Sequence, residues 1–459
     1  MTDHRSLSLW HDTLPADDAL TPRPRLAGDV AVDVAIVGAG YTGLWTAHYL
    51  LEAEPTIRIA IIEAGIAGFG ASGRNGGWVS AILPMALDRI ARDHGRDAAI
   101  RMQRAMGATV DEVGRASAAL GIDCHFAKGG HVELVRNPAQ EPRVRAAVRR
   151  AAGDGRDGVV WLDADEAAQR ARASRLLGAK YDPHCAVIHP ARLVRGLAWS
   201  VEARGATIFE GSTATAIDPK RVLTDHGTVT ADAVIRATEG FTPSLRGHQR
   251  TLVPLYSLMI ATEPLPDEMW TEIGLAGREA FNDGRRLIIY GQRTADGRLA
   301  FGGRGAPYHF ASAIRPEFDR EPVVHDMLHA ALVALFPQVR DARITHRWGG
   351  PLGVARDWCC SVGFDRTTGI GWGGGYVGDG VATSNLAGRT LRDLVLGRAS
   401  DLTTLPWVGH RSRRWEPEPI RWLAIHTALH LPASIDRVEA STGRPERIRS
   451  RLLAALTGH

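Results

Sequence analysis

Lysine is nearly missing from this chain of 459 residues: Lys128, Lys180 and Lys220 stand among 55 basic side chains. Mechanisms that need a lysine amine have few places to reside. Cysteine is also sparse. Cys124, Cys185, Cys359 and Cys360 make no C-x-x-C pair and no zinc spacing. No metal centre is expected, and vicinal Cys359 and Cys360 read as packing residues. No apolar run approaches the roughly 20 residues of a membrane span, and the polar opening from Met1 to Ser6 has no signal core. A cytoplasmic setting is expected. The formal charge of +4 is too small to argue for a nucleic-acid partner. Neither a Ser-His-Asp constellation nor an internal repeat is present.

What the chain does have is glycine in three meaningful clusters. The first is Val32-Asp-Val-Ala-Ile-Val-Gly-Ala-Gly-Tyr-Thr-Gly43, followed by Glu63 twenty positions after Gly43. An apolar strand runs into a turn in which Gly38, Gly40 and Gly43 fit G-x-G-x-x-G. A helix pattern follows (Leu44, Trp45, Ala47, Leu50, Leu51), then a second apolar strand from Arg58 to Ile62. Gly38 permits the tight turn, Gly40 lets a pyrophosphate approach the backbone, and Gly43 lets helix and strand pack closely. The helix N-terminus attracts phosphate, and Glu63 can hold ribose hydroxyls. An adenine dinucleotide site is expected here.

The second cluster is Gly65 to Gly77, with six glycines in thirteen residues. That density excludes a stable helix and suits a loop lying close to a flat ligand. The third is Thr368-Gly-Ile-Gly-Trp-Gly-Gly-Gly-Tyr-Val-Gly-Asp-Gly-Val-Ala382 before a helical pattern to Leu396. It repeats the strand, glycine turn and helix, and offers a second anion-stabilising helix start.

Elsewhere, residues 1–27 read as a polar arm with Pro15, Pro22 and Pro24. Helical periodicity covers 84–120 and 141–177, with a strand from Gly129 to Val135 between them. A turn at His189-Pro190 leads to an amphipathic stretch. Short strands and a hairpin around Asp225-His-Gly227 follow, ending in Thr238-Glu-Gly240. Residues 252–262 and 286–304 read as strands of a second sheet. The tail from 401 carries Trp407, Trp415 and Trp422, which suit an extension packed on the main body.

Two features favour FAD over NAD. The second glycine loop follows the acid directly, and the third can aim backbone donors at a flavin. The segment Gly68-Phe-Gly-Ala-Ser-Gly-Arg-Asn-Gly-Gly77 closely resembles the loop of the gamma-glutamylputrescine oxidase group, within the D-amino-acid oxidase-like FAD-dependent oxidoreductases. Gly375-Tyr-Val-Gly-Asp-Gly-Val-Ala382, Leu386-Ala-Gly-Arg389, Trp348-Gly-Gly-Pro351 and Ala237-Thr-Glu-Gly240 fit the same group.

The resemblance implies an α/β fold: a discontinuous Rossmann-like FAD domain (28–85, 185–245 and 345–400) and an α+β substrate domain (86–184 and 246–344) whose sheet covers the flavin. A helical extension would occupy 401–459. Carried over by motif, Gly38, Gly40, Tyr41, Thr42, Gly43, Glu63 and Ala64 would hold adenosine and pyrophosphate. Ser72, Arg74, Asn75, Gly76 and Gly77 would lie along the ribityl chain and flavin, with Trp78 beside them. Thr215 or Ala216 would meet the adenine through the backbone, and Thr238 and Gly240 would lie near the pyrophosphate. Gly375, Gly378, Asp379, Gly380, Val381 and Ala382 would border the flavin.

The group's chemistry is oxidation of an amine to an imine, with oxygen usually reoxidising the flavin to give hydrogen peroxide. Two departures stand out. Relatives often read Gly-His-Gly where this chain has Gly378-Asp-Gly380; Asp379 is expected to point outward or cap the helix. Relatives also use a lysine beside the flavin, and none falls in 286–304. Residues 65–82 hold no His or Cys, so the flavin is expected to be non-covalent.

Catalytic candidates on the covering sheet are Tyr256, Tyr290, Gln292 and Arg304. Arg304 can clamp a carboxylate in bidentate fashion or bridge structure. His189 reads as structural, and His131 either lines the pocket or packs. Three functions stay open: an amine oxidase, a dehydrogenase passing electrons to a partner or quinone, and a flavin-binding protein without turnover.

Overall fold

The strand that opens the first glycine motif, Val30–Val37, is central in an eight-stranded sheet. It pairs in parallel with Thr228–Arg236 on one side and Ile59–Ile62 on the other. Its inner half is covered on both faces, which is why Val34 to Val37 is uninterruptedly apolar. Thr207–Phe209 and Ile370–Gly374 extend the parallel set, and Ser361–Asp365 closes one edge antiparallel. Segments far apart in sequence thus build one body. A computed structural model describes residues 3–457, with side chains to 454.

Two helices lie against this sheet in close contact. One, Tyr41–Ala53, begins at the first glycine turn; the other, Gly380–Leu396, begins at the third. A Cβ on Gly388 would stand 2.7 Å from Cβ of Trp45, so glycine sets their separation. Leu44, Trp45, Leu386 and Leu391 share the largest core.

The long helix Arg96–Ala119 buries Met102, Met106, Val110 and Val113 in that same core. The domain division expected from sequence, which assigns 86–184 to the second body, is corrected here: the apolar stripe of this helix matches the first body's surface. Trp407 also lies in this core, so the first body reaches past residue 400.

The second sheet has eight strands, in the order Ile344–Val354, Val253–Thr262, Leu299–Gly303, Ile289–Arg293, Ala280–Asp283, His131–Val135, Gly178–Asp182 and Val160–Leu162. The first of these crosses the expected boundary at 345. It pairs along nearly the whole of Val253–Thr262 and carries Trp348-Gly-Gly-Pro351 to the seam between the bodies. The helix expected over 141–177 stops at Ala151. Gly153, Gly155 and Gly158 interrupt it, and a strand, then a short helix Ala164–Arg170 with an Asp163–Glu166 capping box, takes over.

The N-terminal arm is docked rather than free. Leu9, Trp10 and His11 are buried, and Arg195 holds Asp18 at 3.0 Å. The C-terminal helix Ile420–Thr442 meets the second body through Asp436, which accepts the Arg286 and Leu287 amides, and Ile448–Thr457 packs against that helix. Among the described residues, no helix is long and apolar enough to cross a membrane.

Candidate active site

A cavity of about 1470 Å³ opens at the carboxyl ends of the parallel strands, where open α/β sheets place ligands. It exceeds the roughly 300–1,000 Å³ typical of drug-sized ligands. Gly38, Gly40, Tyr41, Thr42, Glu63, Ala64, Ser72, Arg74, Asn75, Thr238, Gly240, Gly378, Gly380 and Val381 all line it. Sequence positions more than 300 apart therefore share one wall.

The glycine turn is set by backbone proximity. Gly38 has φ +109°, and a Cβ there would stand 2.5 Å from the Ala237 carbonyl oxygen. A Cβ on Gly43, which sits behind the wall, would stand 2.1 Å from the Gly38 oxygen. Ser72 Oγ accepts the Tyr41 amide at 2.8 Å, tying the second loop to the first helix. Glu63 accepts the Ala39 and Gly65 amides, both at 2.9 Å. Burial raises the pKa of its carboxyl. On the adenine side Thr213 and Ala214 line the cavity, while the neighbouring Thr215 is exposed and Ala216 buried.

The second loop contains one helical turn, Ala71–Arg74, despite its glycine content. Asn75 Nδ2 donates to the Ala71 and Ser72 carbonyls, and its Oδ1 accepts the Gly77 amide at 2.7 Å. Two tryptophans pin the loop: Trp348 Nε1 donates to the Arg74 carbonyl and Trp10 Nε1 to that of Asn75. The buried Arg74 guanidinium pairs with Asp319 at 2.6 Å and donates to the Gly349 carbonyl. Gly76, Gly77 and Trp78 are not on the cavity wall. Their backbone meets the covering sheet instead. A Cβ on Gly76 would stand 2.6 Å from the Tyr290 ring, and one on Gly77 2.1 Å from Gln292 Nε2.

The four covering-sheet candidates stand behind this wall, not on it. Gln292 donates to the Gly76 carbonyl at 2.7 Å and acts as a clamp on the loop. Tyr290 shares a hydrogen bond with Ser257 Oγ at 2.8 Å. Tyr256 is buried edge-on to His309 and Phe318, and its hydroxyl has no partner among the described residues. Arg304 donates to the Val377 carbonyl at 2.9 Å and lies 5.3 Å from the Trp358 ring. It reaches from the covering sheet to the third glycine turn.

That turn is braced by Glu239, which accepts the Gly375 amide at 2.8 Å and the Tyr376 amide at 3.0 Å. Burial pushes the Glu239 carboxyl up to about 7. Tyr376 in turn hydrogen-bonds Thr42 at 2.9 Å, joining the first and third turns. Gly375 and Ala382 lie off the wall, Ala382 within the core. Of the two placements expected for Asp379, capping is not met: its side chain makes no capping bond on the helix Gly380–Leu396, and the residue is not on the cavity wall. Burial raises its carboxyl to about 7, opposed by Arg304.

His189 caps the helix Pro190–Ala203 and bonds Thr13, a structural role. His131 packs on Trp78 and bonds Asn282. Glu239, Tyr376, Asp319 and the N-terminal wall residues His4, Leu20 and Arg23 are missed by sequence reasoning. Glu239 and Tyr376 sit inside the glycine motifs, but their bonding partners are distant in sequence; the others reach the wall through docking.

The residues present suit FAD. Three glycine turns give backbone access to one cavity, and Arg74, on its wall, has a buried Nε without a partner among the described residues. The chain matches the FAD dependent oxidoreductase family over residues 33–394. It is 32% identical over 391 residues to the probable oxidoreductase OrdL of Rhizobium meliloti, covering 83% of this chain and 87% of that one. It is 30% identical over 407 residues to the gamma-glutamylputrescine oxidoreductase of Escherichia coli, covering 86% and 92%. In fold it is similar to the crystal structure of glycine oxidase from Geobacillus kaustophilus, with a TM-score of 0.70 at 22% identity over 84% of this chain and 100% of that one. The chain belongs to the D-amino-acid oxidase-like family of FAD-dependent oxidoreductases, and FAD is its cofactor.

Proposed function

We propose that the protein oxidises a primary or secondary amine, carried by an amino acid or a polyamine-like molecule, to the imine, with molecular oxygen as acceptor and hydrogen peroxide as product. When bound, FAD supplies the hydride acceptor. Glu63 and Ala214 would hold the adenosine end. The Gly40–Tyr41 helix start, Ser72 and Asn75 would hold the pyrophosphate and ribityl region, and Arg74 and Gly378 to Val381 the flavin end. No histidine or cysteine lies in the second loop, which supports non-covalent binding.

The observation that carries the reading is Arg304. Its guanidinium is half-buried where the covering sheet meets the third glycine turn, with one nitrogen held by the Val377 carbonyl and no ion-paired carboxylate among the described residues. Although it stands behind the cavity wall, it would suit an anionic group of a substrate entering from the covering-sheet side. The E. coli relative is named for gamma-glutamylputrescine and the Geobacillus neighbour for glycine; both compounds are amines. The chain's own contribution is to orient the amine and exclude water. The test is anaerobic titration of the yellow holoprotein with amino acids, N-methyl amino acids, polyamines and γ-glutamyl amines. At least one should bleach the flavin; a panel that leaves it oxidised throughout overturns the reading.

A second reading, a dehydrogenase handing electrons to a partner or quinone, is favoured by one observation. Lys128, Lys180 and Lys220 are each paired with an acid, Asp111, Glu133 and Asp232, and none lines the cavity. Rapid mixing of reduced protein with oxygen separates the two. Fast peroxide formation supports the oxidase, and slow reoxidation supports the dehydrogenase.

A further inference from the structure

Asp357, Cys359 and His410 come together away from the cavity, and none of them is on its wall. A carboxylate oxygen of Asp357, the Cys359 sulfur and a ring nitrogen of His410 all lie within 4.8 Å of one another, a group of possible metal ligands among the described residues. Asp357 and Cys359 belong to the loop between the strands Ile344–Val354 and Ser361–Asp365. His410 arrives from the C-terminal segment, 53 positions after Asp357. The Gly409 amide donates to the Val362 carbonyl at 2.8 Å and sets His410 beside the loop. The third ligand is brought in by folding, so cysteine spacing carries no sign of it.

His410 Nε2 stands 2.9 Å from Asp357 Oδ2. Around a tetrahedral metal with bonds of about 2.0–2.3 Å, ligand atoms stand roughly 3.3–3.7 Å apart. The observed spacings bracket that range, so small side-chain rotations close the three onto one ion. The carboxylate is already oriented. Its Oδ1 accepts the Cys359 amide at 3.2 Å, and Arg89, on the helix Leu87–His94, donates to the Asp357 carbonyl at 2.8 Å and to Oδ2 at 3.2 Å. Such outer partners fix the direction of a ligand. The positive charge of Arg89 opposes a dication, so the affinity expected is below that of a four-ligand site. Burial works against ionisation of Asp357, but hydrogen bonds from His410 and Ser412 hold its carboxyl below the usual range. Burial, with the Asp357 charge, pushes the Cys359 thiol up to about 12. Only a cation that binds sulfur strongly draws that proton off, which disfavours Mg²⁺ and Ca²⁺. Cys359 is buried, while Asp357 and His410 are partly exposed and leave a path from solvent.

We propose that Asp357, Cys359 and His410 are the three protein ligands of a zinc-type site, with a fourth position open to water. The Asp357 carboxylate and a Cys359 thiolate supply two negative charges for a divalent ion. On binding, the thiol proton passes to solvent and a sulfur–metal bond forms. His410 binds through the nitrogen that otherwise faces Asp357, its neutral ring keeping a proton on the other. No oxidation state changes. The ion clasps the C-terminal segment to a loop that packs on the third glycine turn, where a Cβ on Gly375 would stand 3.3 Å from the Cys359 carbonyl oxygen. This site lies outside the amine-oxidising reading, and neither depends on the other.

The test uses holoprotein dialysed against a chelator, with flavin retention checked by absorbance. Co²⁺ is titrated first. One equivalent should produce a thiolate-to-metal charge-transfer band and d–d bands to the red of the flavin. Competition against a chromophoric chelator should then give a Zn²⁺ Kd of about 10 μM or tighter. Cys359→Ser should abolish the charge-transfer band and weaken Zn²⁺ about a hundredfold. His410→Gln should weaken Zn²⁺ comparably while sparing that band at saturating Co²⁺. Cys360→Ala should change neither, since its sulfur faces Met85 at 3.9 Å. Zinc-edge X-ray absorption of the wild type needs no variant and should show one sulfur near 2.3 Å among nitrogen and oxygen ligands near 2.0 Å. A first shell without sulfur, a Kd weaker than about 10 μM, or a Cys359→Ser protein that keeps wild-type zinc affinity overturns the site.

Discussion

At Gly43 a single hydrogen decides how near the first helix stands to the first strand. A Cβ there would be 2.1 Å from the Gly38 oxygen, which is backbone and cannot swing aside. Gly43→Ala should lower stability by about 1–3 kcal/mol and strip flavin from the purified protein, read as the ratio of flavin to protein absorbance. Full flavin occupancy would contradict this account of the turn. Asp379 makes a pH prediction. Its carboxyl stands at about 7 in the folded protein against an ordinary 3.8. Between those values the unfolded chain has released a proton that the folded chain keeps, so this group's contribution to stability declines as pH rises and is lowest above 7. Asp379→Asn should therefore match the wild type in Tm near pH 4 and exceed it above about pH 8. A constant difference across that range would exclude Asp379 as the titrating group. Residue types were legible here because a dinucleotide turn demands glycine at fixed spacing. Glu239 was not, since its two amide partners lie 136 and 137 positions away.

At the scale of elements, the two helices that start at glycine turns depend on one another. Trp45 and Gly388 interlock them, and a methyl at 388 would meet Trp45 at 2.7 Å. Gly388→Ala should cost about 1–3 kcal/mol by overpacking, seen as a lower urea midpoint; an unchanged midpoint would show that the helices separate freely. The sequence located these helices because each follows a strand and a glycine turn and carries apolar residues at helical spacing. Periodicity failed over 141–177, where glycines break the chain and the short strand Val160–Leu162 makes its pairs only with Gly178–Asp182. It also placed Ile344–Val354 in the wrong body. A strand's alternation shows that it pairs, while the choice of Val253–Thr262 as partner is made in three dimensions.

At the scale of the molecule, residues after Gly409 join distant parts of the second body to the seam. Glu418 accepts the Tyr308 hydroxyl at 2.8 Å and the Ala311 amide at 3.0 Å. Trp415 Nε1 donates to the Val354 carbonyl at 2.9 Å, and Glu439 pairs with Arg143 at 3.0 Å. Val377, which holds Arg304, packs in the same cluster as Trp415 and Ile425. Truncation after Gly409 should leave flavin bound while raising KM several-fold, on the order of 1 kcal/mol in binding, and lowering Tm. Unchanged KM and Tm would show the extension to be a passenger.

The amino-acid order alone settled the cofactor and its family, since Gly38 to Gly43, Glu63 and the loop to Gly77 act through local backbone geometry and spacing. It also offered Arg304, on the covering-sheet segment, and Asp379, in the third glycine motif, as candidates. Only the tertiary structure decided that Tyr290 and Gln292 grip the second loop from behind the wall, and that Thr213 and Ala214, not Thr215 and Ala216, face the cavity. It alone left Asp379 uncapped. Those relations join strands, turns and helices that are distant in sequence, and side-chain direction across such a seam is set by packing rather than by any local pattern.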